Sequence, residues 1–263
     1  KNILADASTA LDQTVKALKA LDEDKPKDAL AALEKATGKL ELILARDPGL
    51  ALAPVDLQVV TYDLLDGPPS VSLVREFDAL MVGGSGDYYV SQGNLPAFAG
   101  FLQLLREIVR VGHPTFASCF GYQSYVVALG GEVVYDVDNT EVGTYELTLT
   151  ADGHSDELFG SLPDRFCAQL GHKDRAVRHP EGIPNLASSA VSPLQALRVP
   201  GQPIWASQFH PELDRLTNRE RYRHYLESYA AHMSAEEREH ALERFQDSPE
   251  ASGLLRRFVE LVL

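Results

Sequence analysis

The stretch that most constrains this fold is Thr115-Phe116-Ala117-Ser118-Cys119-Phe120-Gly121-Tyr122-Gln123. It follows a run with helical apolar spacing and precedes Ser124-Tyr125-Val126-Val127-Ala128-Leu129-Gly130-Gly131. The pattern predicts a short buried strand, a tight turn at Cys119 and then a helix. A nucleophile gains three things at such a turn. Its side chain is held clear of the strand, the following backbone N–H groups face the place of a substrate oxygen, and the helix N-terminus favours thiolate over thiol. Gly121 permits a close backbone approach. Alternating strand and helix patterns over 57–130 point to an α/β fold with a mostly parallel sheet flanked by helices.

A thiol nucleophile needs a base, and the base needs an orienting group. Trp205-Ala206-Ser207-Gln208-Phe209-His210-Pro211-Glu212 reads as a strand ending in His210 with a carboxylate two residues on. Taken alone, a cysteine beside an apolar run is more often a small buried hydrophobe.

Cys119-Phe120-Gly121-Tyr122-Gln123 together with Gln208-Phe209-His210-Pro211-Glu212 resembles the class I, triad-type glutamine amidotransferases. Their nucleophile pattern is G-x-C-x-G-x-Q. Here Ala117 stands where glycine is usual and Tyr122 where histidine is common. The resemblance covers residues 57–263 and implies a flavodoxin-like sheet with a catalytic triad of Cys119, His210 and Glu212. It assigns oxyanion-hole donors to Gly84 or Ser85, in the loop Gly83-Gly84-Ser85-Gly86, and to Phe120. It sets Gln123, Gly121 and His172 at the substrate, although His172 is equally able to pair with a structural carboxylate. It also implies glutamine hydrolysis with no metal or organic cofactor, and ammonia passed to a synthase. No synthase segment is legible here, so an acceptor is on a separate chain or absent. Two alternatives remain open at this point: a γ-glutamyl peptidase or hydrolase with the same triad, and a non-catalytic binding protein of this fold.

Composition narrows the partners. A net charge of −14 argues against nucleic acid and anionic membranes. Two cysteines, Cys119 and Cys167, are too few for a disulfide scaffold and suggest a reducing, cytoplasmic home. No apolar run approaches a membrane span, and no signal peptide is visible. Cys167 reads as a buried spectator. His113, before Pro114, reads as structural, and His154 and His179 read as solvated loop residues. His224, His232 and His240 recur every eight residues, which is not the i, i+4 spacing of a zinc helix.

Residues 1–50 differ from the rest. Leu4, Ala7, Leu11, Val15, Leu18 and Leu21, then Leu30, Leu33, Ala36, Leu40, Ile43 and Leu44, give two helical periods broken near Pro26 and stopped at Asp47-Pro48-Gly49. A helical hairpin follows. Its apolar face serves as core or as a contact for a homo-oligomer or partner. This segment, through Asp56, resembles the small helical YfdX-like bacterial proteins. It stands where an amidotransferase domain normally opens with a strand and helix, so a fusion joined within 50–66 is one reading.

Farther on, the sequence predicts strands at Leu57–Tyr62, Phe77–Val82 (buried), Glu132–Tyr135, Glu141–Leu149, Phe166–Gln169, Leu186–Ala190, Leu194–Val199 and Ile204–Ser207. It predicts helices over Leu95–Val111 and in Asn218–Arg244. A terminal helix restarting at Ser248-Pro249 is expected to dock back on the sheet.

Overall fold

The computed structural model describes residues 14–16, 19, 25, 57–225 and 242–263. The chain divides into two compact units, Lys1–Gln58 and Val59–Leu263. In the first unit Thr14–Lys16 and Lys19 are helical, and the rest of the expected hairpin lies outside the described residues.

The second unit is α/β. Its large sheet has seven strands in the order β1 (Leu80–Val82), β2 (Thr115–Ser118), β9 (Ile204–Ser207), β8 (Ala196–Arg198), β7 (Asn185–Ser189), β4 (Glu141–Leu149) and β5 (Arg165–His172). β1, β2 and β9 run parallel, in a register that aligns Val82 with Ala117 and Ala117 with Ala206. The strands beyond β9 pair antiparallel. The carboxyl ends of the three parallel strands therefore open on one side, where ligand sites of such sheets form. β3 (Glu132–Tyr135) pairs antiparallel with β6 (Asp174–Arg178), in a separate two-stranded ribbon.

Two expectations need correction. Leu57–Tyr62 forms no strand, and Val59 is 82% exposed. An apolar run makes a strand only where a neighbour pairs with it and a face is buried. The strand expected over Phe77–Val82 begins only at Leu80, and it is not buried throughout. It lies at the end of the sheet order, and Met81 is 51% exposed.

Besides the short α1 (Val71–Val74), two helices precede β3. α2 (Phe98–Val111) buries Phe101, Leu104, Leu105 and Ile108, the i, i+3, i+4, i+7 stripe of an amphipathic helix. Gly112 ends it at φ 66°, a left-handed cap that glycine adopts without strain. α3 (Phe120–Ala128) is buried on almost every side. A Cβ at Gly121 would lie 2.6 Å from the Val82 carbonyl oxygen, so only glycine lets α3 sit this close to β1. Tyr122 O–H donates to Leu194 O at 3.0 Å and accepts from His179 Nε2 at 2.7 Å. His179 is thus a partly buried partner of α3 rather than a solvated loop residue.

α4 (Ala151–Ser155) follows β4, and α5 (Arg215–His224) follows the His210 segment. α5 starts with a capping box in which Asp214 and Thr217 exchange side-chain-to-backbone bonds. α6 (Pro249–Val262) docks on the sheet as expected. Its Phe258, fully buried, meets Phe116 and Trp205 edge-on at 5.8 and 6.0 Å between ring centroids. Phe116 and Trp205 are register partners on β2 and β9, so one ring pins the two strands that carry the site. Among the described residues no helix is long and apolar enough to cross a membrane.

Truncating that ring, Phe258→Ala, is expected to destabilise the unit by about 3–5 kcal/mol, read from urea unfolding. Burial holds the His179 imidazole down at about 4, against 6.5 when unfolded. Its contribution to stability is complete above the unfolded value and is lost as pH falls toward the folded one. Between pH 7 and 4.5 the wild type is expected to lose about 2 kcal/mol more than His179→Gln, after allowance for partial exposure.

Candidate active site

Cys119 stands between β2 and α3 with φ 50° and ψ −102°. Among the described residues only Ala97 shares a positive φ without being glycine. A strained backbone persists only where its surroundings hold it. Here Cys119 N–H donates to Ser207 O at 2.8 Å, and Cys119 O accepts from Gln123 N–H at 2.9 Å. The turn is clamped between β9 and the first turn of α3. The first N–H groups of a helix have no intrahelical partner, and Phe120 supplies one of them beside Cys119.

β9 ends next to β2, and three residues later the chain reaches His210, 1% exposed. His210 N–H is fixed to Gln169 O at 2.9 Å. The ring Nδ1–H donates to Glu212 Oε1 at 2.6 Å. Ser118 Oγ–H donates to the same oxygen at 3.0 Å. Ser118 escaped the sequence reading. It holds the carboxylate from the strand that leads to Cys119, and its place just before Cys119 was the available signal.

β1 brings the third piece. A Cβ on Gly84 would lie 2.6 Å from His210 Cε1 and 3.4 Å from Cys119 Cβ. The loop backbone therefore passes directly beside the thiol and imidazole. Ser85 Oγ accepts from Asp87 N–H at 3.3 Å and Tyr88 N–H at 3.1 Å, which shapes this loop.

The charges favour a reactive thiol. Burial pushes the Cys119 thiol up, but His210, then Arg221 and His172, bring it down to about 7. Burial works against a charged imidazole at His210. The Cys119 thiolate and the Glu212 carboxylate outweigh it and raise the ring to about 9. Burial would raise Glu212 too, yet His210 and Ser118 hold its carboxyl below the usual range. Cys167 moves the other way, raised by burial and then by Glu146 and Glu250.

The residues assigned to substrate divide. Gln123 and His172 line the cavity beside Cys119, but both are already engaged. Gln123 Nε2 donates to Asp174 O at 2.8 Å and Gln208 Oε1 at 3.1 Å. His172 Nε2 donates to Glu141 Oε2 at 3.0 Å, and its Nδ1 meets Asp174 O at 2.9 Å. Gln195 and Ser189 also donate to the buried Glu141 carboxylate, at 2.7 and 2.6 Å. Gly121 does not line the cavity. It faces Val82 and serves packing. Arg221, unmarked in the sequence, donates from Nη1 to His210 Nε2 at 2.7 Å.

The chain is similar to known proteins. Residues 53–226 match the family described as glutamine amidotransferase class-I, and residues 10–79 match YfdX protein. The chain is 35% identical over 100 residues to a subunit of the glutamine-hydrolyzing GMP synthase of Methanocaldococcus jannaschii, covering 38% of this chain and 51% of that one. It is 28% identical to the corresponding subunit from Archaeoglobus fulgidus, over 60% of this chain and 78% of the relative. The chain thus spans about half the length of the first relative. In fold it resembles a glutamine amidotransferase of Thermotoga maritima, with a TM-score of 0.59 at 22% identity over 72% of this chain and 79% of that one. One from Methylobacillus flagellatus gives 0.58 at 21% identity, over 74% and 80%. The chain belongs to the class-I glutamine amidotransferase family.

Proposed function

We propose that the chain hydrolyses the side-chain amide of glutamine through a Cys119–His210–Glu212 triad, releasing ammonia. The observation that carries this reading is the convergence of Gly84, Cys119 and His210 at the ends of three adjacent parallel strands, with Glu212 2.6 Å from His210 Nδ1. His210 takes the thiol proton as Cys119 Sγ attacks the amide carbon. The carbonyl oxygen becomes an oxyanion facing the Phe120 amide and the Gly84–Ser85 backbone. As the tetrahedral intermediate collapses, His210 donates its proton to the leaving nitrogen, and ammonia departs from a thioester. Water, deprotonated by His210, then attacks the thioester, and glutamate leaves as the thiol reforms. Glu212 keeps the Nδ1–H tautomer and balances the imidazolium. Each oxyanion donor is worth about 3 kcal/mol in such a transition state.

The relatives named as GMP synthase subunits favour a separate synthase chain as the consumer of this ammonia. A γ-glutamyl compound uses the same chemistry at the same carbonyl and differs only in its leaving group.

Ammonia release is measured from glutamine and a panel of γ-glutamyl compounds. Cys119→Ala is expected to abolish turnover, and the preferred compound identifies the substrate class. Glu212→Gln is expected to retain Cys119 while lowering kcat by about 10²–10⁴-fold, because the wrong tautomer is favoured. Turnover that survives Cys119→Ala would reject the mechanism. Gly84→Ala crowds the His210 ring, and its expected signature is a loss of kcat with little change in melting temperature.

A further inference from the structure

The His210 ring has one lone pair available once Nδ1–H is bound to Glu212, and Arg221 occupies it. A guanidinium has only donors and keeps its protons, so the contact between Arg221 Nη1 and His210 Nε2, 2.7 Å long, fixes Nε2 as the acceptor. The mechanism needs that lone pair for the Cys119 proton. Two donors thus compete for one acceptor.

Four residues later in the chain, just past the end of α5, the Tyr225 ring lies over Gly86, so closely that a Cβ on that glycine would fall inside the ring's contact distance. The cavity left beside Cys119 has about 20 Å³ of room, enough for one water. Asn218, Arg221, Tyr222 and Tyr225 follow the i, i+3, i+4, i+7 spacing of a single helix face. The earlier part of that face is anchored. Asn218 Nδ2 donates to Gln169 Oε1 at 3.0 Å and Leu170 O at 3.3 Å, and Tyr222 is 2% exposed against Phe245.

We propose that the end of α5 is a gate: Arg221 occupies the acceptor of the base, Tyr225 covers the oxyanion loop, and the site opens when these two side chains withdraw. The proposal rests on the triad reading above. The groups facing His210 are Cys119 from the turn before α3, Glu212 after β9 and Arg221 from α5, while His172 from β5 acts on the thiol. Arg221 has two opposed effects. Its charge favours the thiolate, but its N–H competes with the thiol for His210 Nε2. The hydrogen bond from His210 lowers the thiol more than the Arg221 charge does, so strengthening that bond outweighs losing the guanidinium.

The test is the rate of Cys119 alkylation by iodoacetamide across pH 6–9, located by peptide mass, with glutamine turnover measured in parallel. Arg221→Ala and Arg221→Gln are expected to react about tenfold faster at pH 7, with the midpoint about one unit lower. Tyr225→Ala leaves the His210 contact in place, so it is expected to raise the rate without moving the midpoint and to lower KM. A merely structural Arg221 would lower melting temperature and leave the midpoint where it was. Slower alkylation in the Arg221 variants would overturn the gate and make Arg221 the counter-charge of the thiolate. Wild-type turnover with unchanged alkylation in all three variants would reject the gate and leave the triad standing. A Cys119 inert in every variant and at every pH, with no turnover, would reject both.

Discussion

The backbone turn at Cys119 is the constraint on which the site depends. A non-glycine residue at φ 50° and ψ −102° is strained, by about 1–3 kcal/mol. That strain is held by two bonds from different layers, Cys119 N–H to Ser207 O and Gln123 N–H to Cys119 O. The first exists only because β9 lies beside β2 in register. The second exists only because α3 starts at once. Phe258 reinforces the first by packing on Phe116 and Trp205. Gly121 enables the second by letting α3 approach Val82. Cys119 is therefore positioned by the same contacts that build the core.

The same sheet order solves the problem of burying charge. A thiolate, an imidazolium and a carboxylate would each be unfavourable alone in an apolar interior. Placed in a row at neighbouring strand ends, each offsets the desolvation of the next. The cluster behind it follows the same rule. The Glu141 carboxylate is fully buried and accepts from His172, Gln195 and Ser189. It links β4, β5, β7 and the segment before β8, and so fixes the wall of the cavity. The surface charge of −14 does not decide the local balance, since the groups nearest Cys119 include Arg221 and His172.

What the sequence made legible was local. The strand, turn and helix around Cys119 are contiguous, and His210 and Glu212 are two residues apart, so periodicity and residue type find them. The α2 stripe and the terminal helix were legible for the same reason. What was not legible depends on distant partners. Leu57–Tyr62 has strand composition, but pairing is a property of neighbours. Gly121 reads as a substrate contact until Val82 is seen opposite it. Gln123 is set at the substrate by the resemblance, and only the fold shows Asp174 O and Gln208 engaging its amide. His179 reads as a loop histidine because nothing in its own segment points to Tyr122. Arg221 is one arginine among several on a charged helix, and only the tertiary fold brings it to His210.

That contact also sets an energy scale for the closed site. A hydrogen bond from a charged donor contributes about 1.5–3 kcal/mol net, which favours the docked arrangement by roughly 10- to 150-fold. A bias of this size silences a nucleophile without locking it. A ligand or partner need bind the open arrangement only about 2–3 kcal/mol better than the closed one to reverse it. The helix need not move, because Asn218 and Tyr222 keep their partners when only the Arg221 and Tyr225 side chains swing away. Those two side chains lie four residues apart on one helix face, so their withdrawal frees the base and uncovers the oxyanion loop together. Access and protonation thereby become a single coordinate.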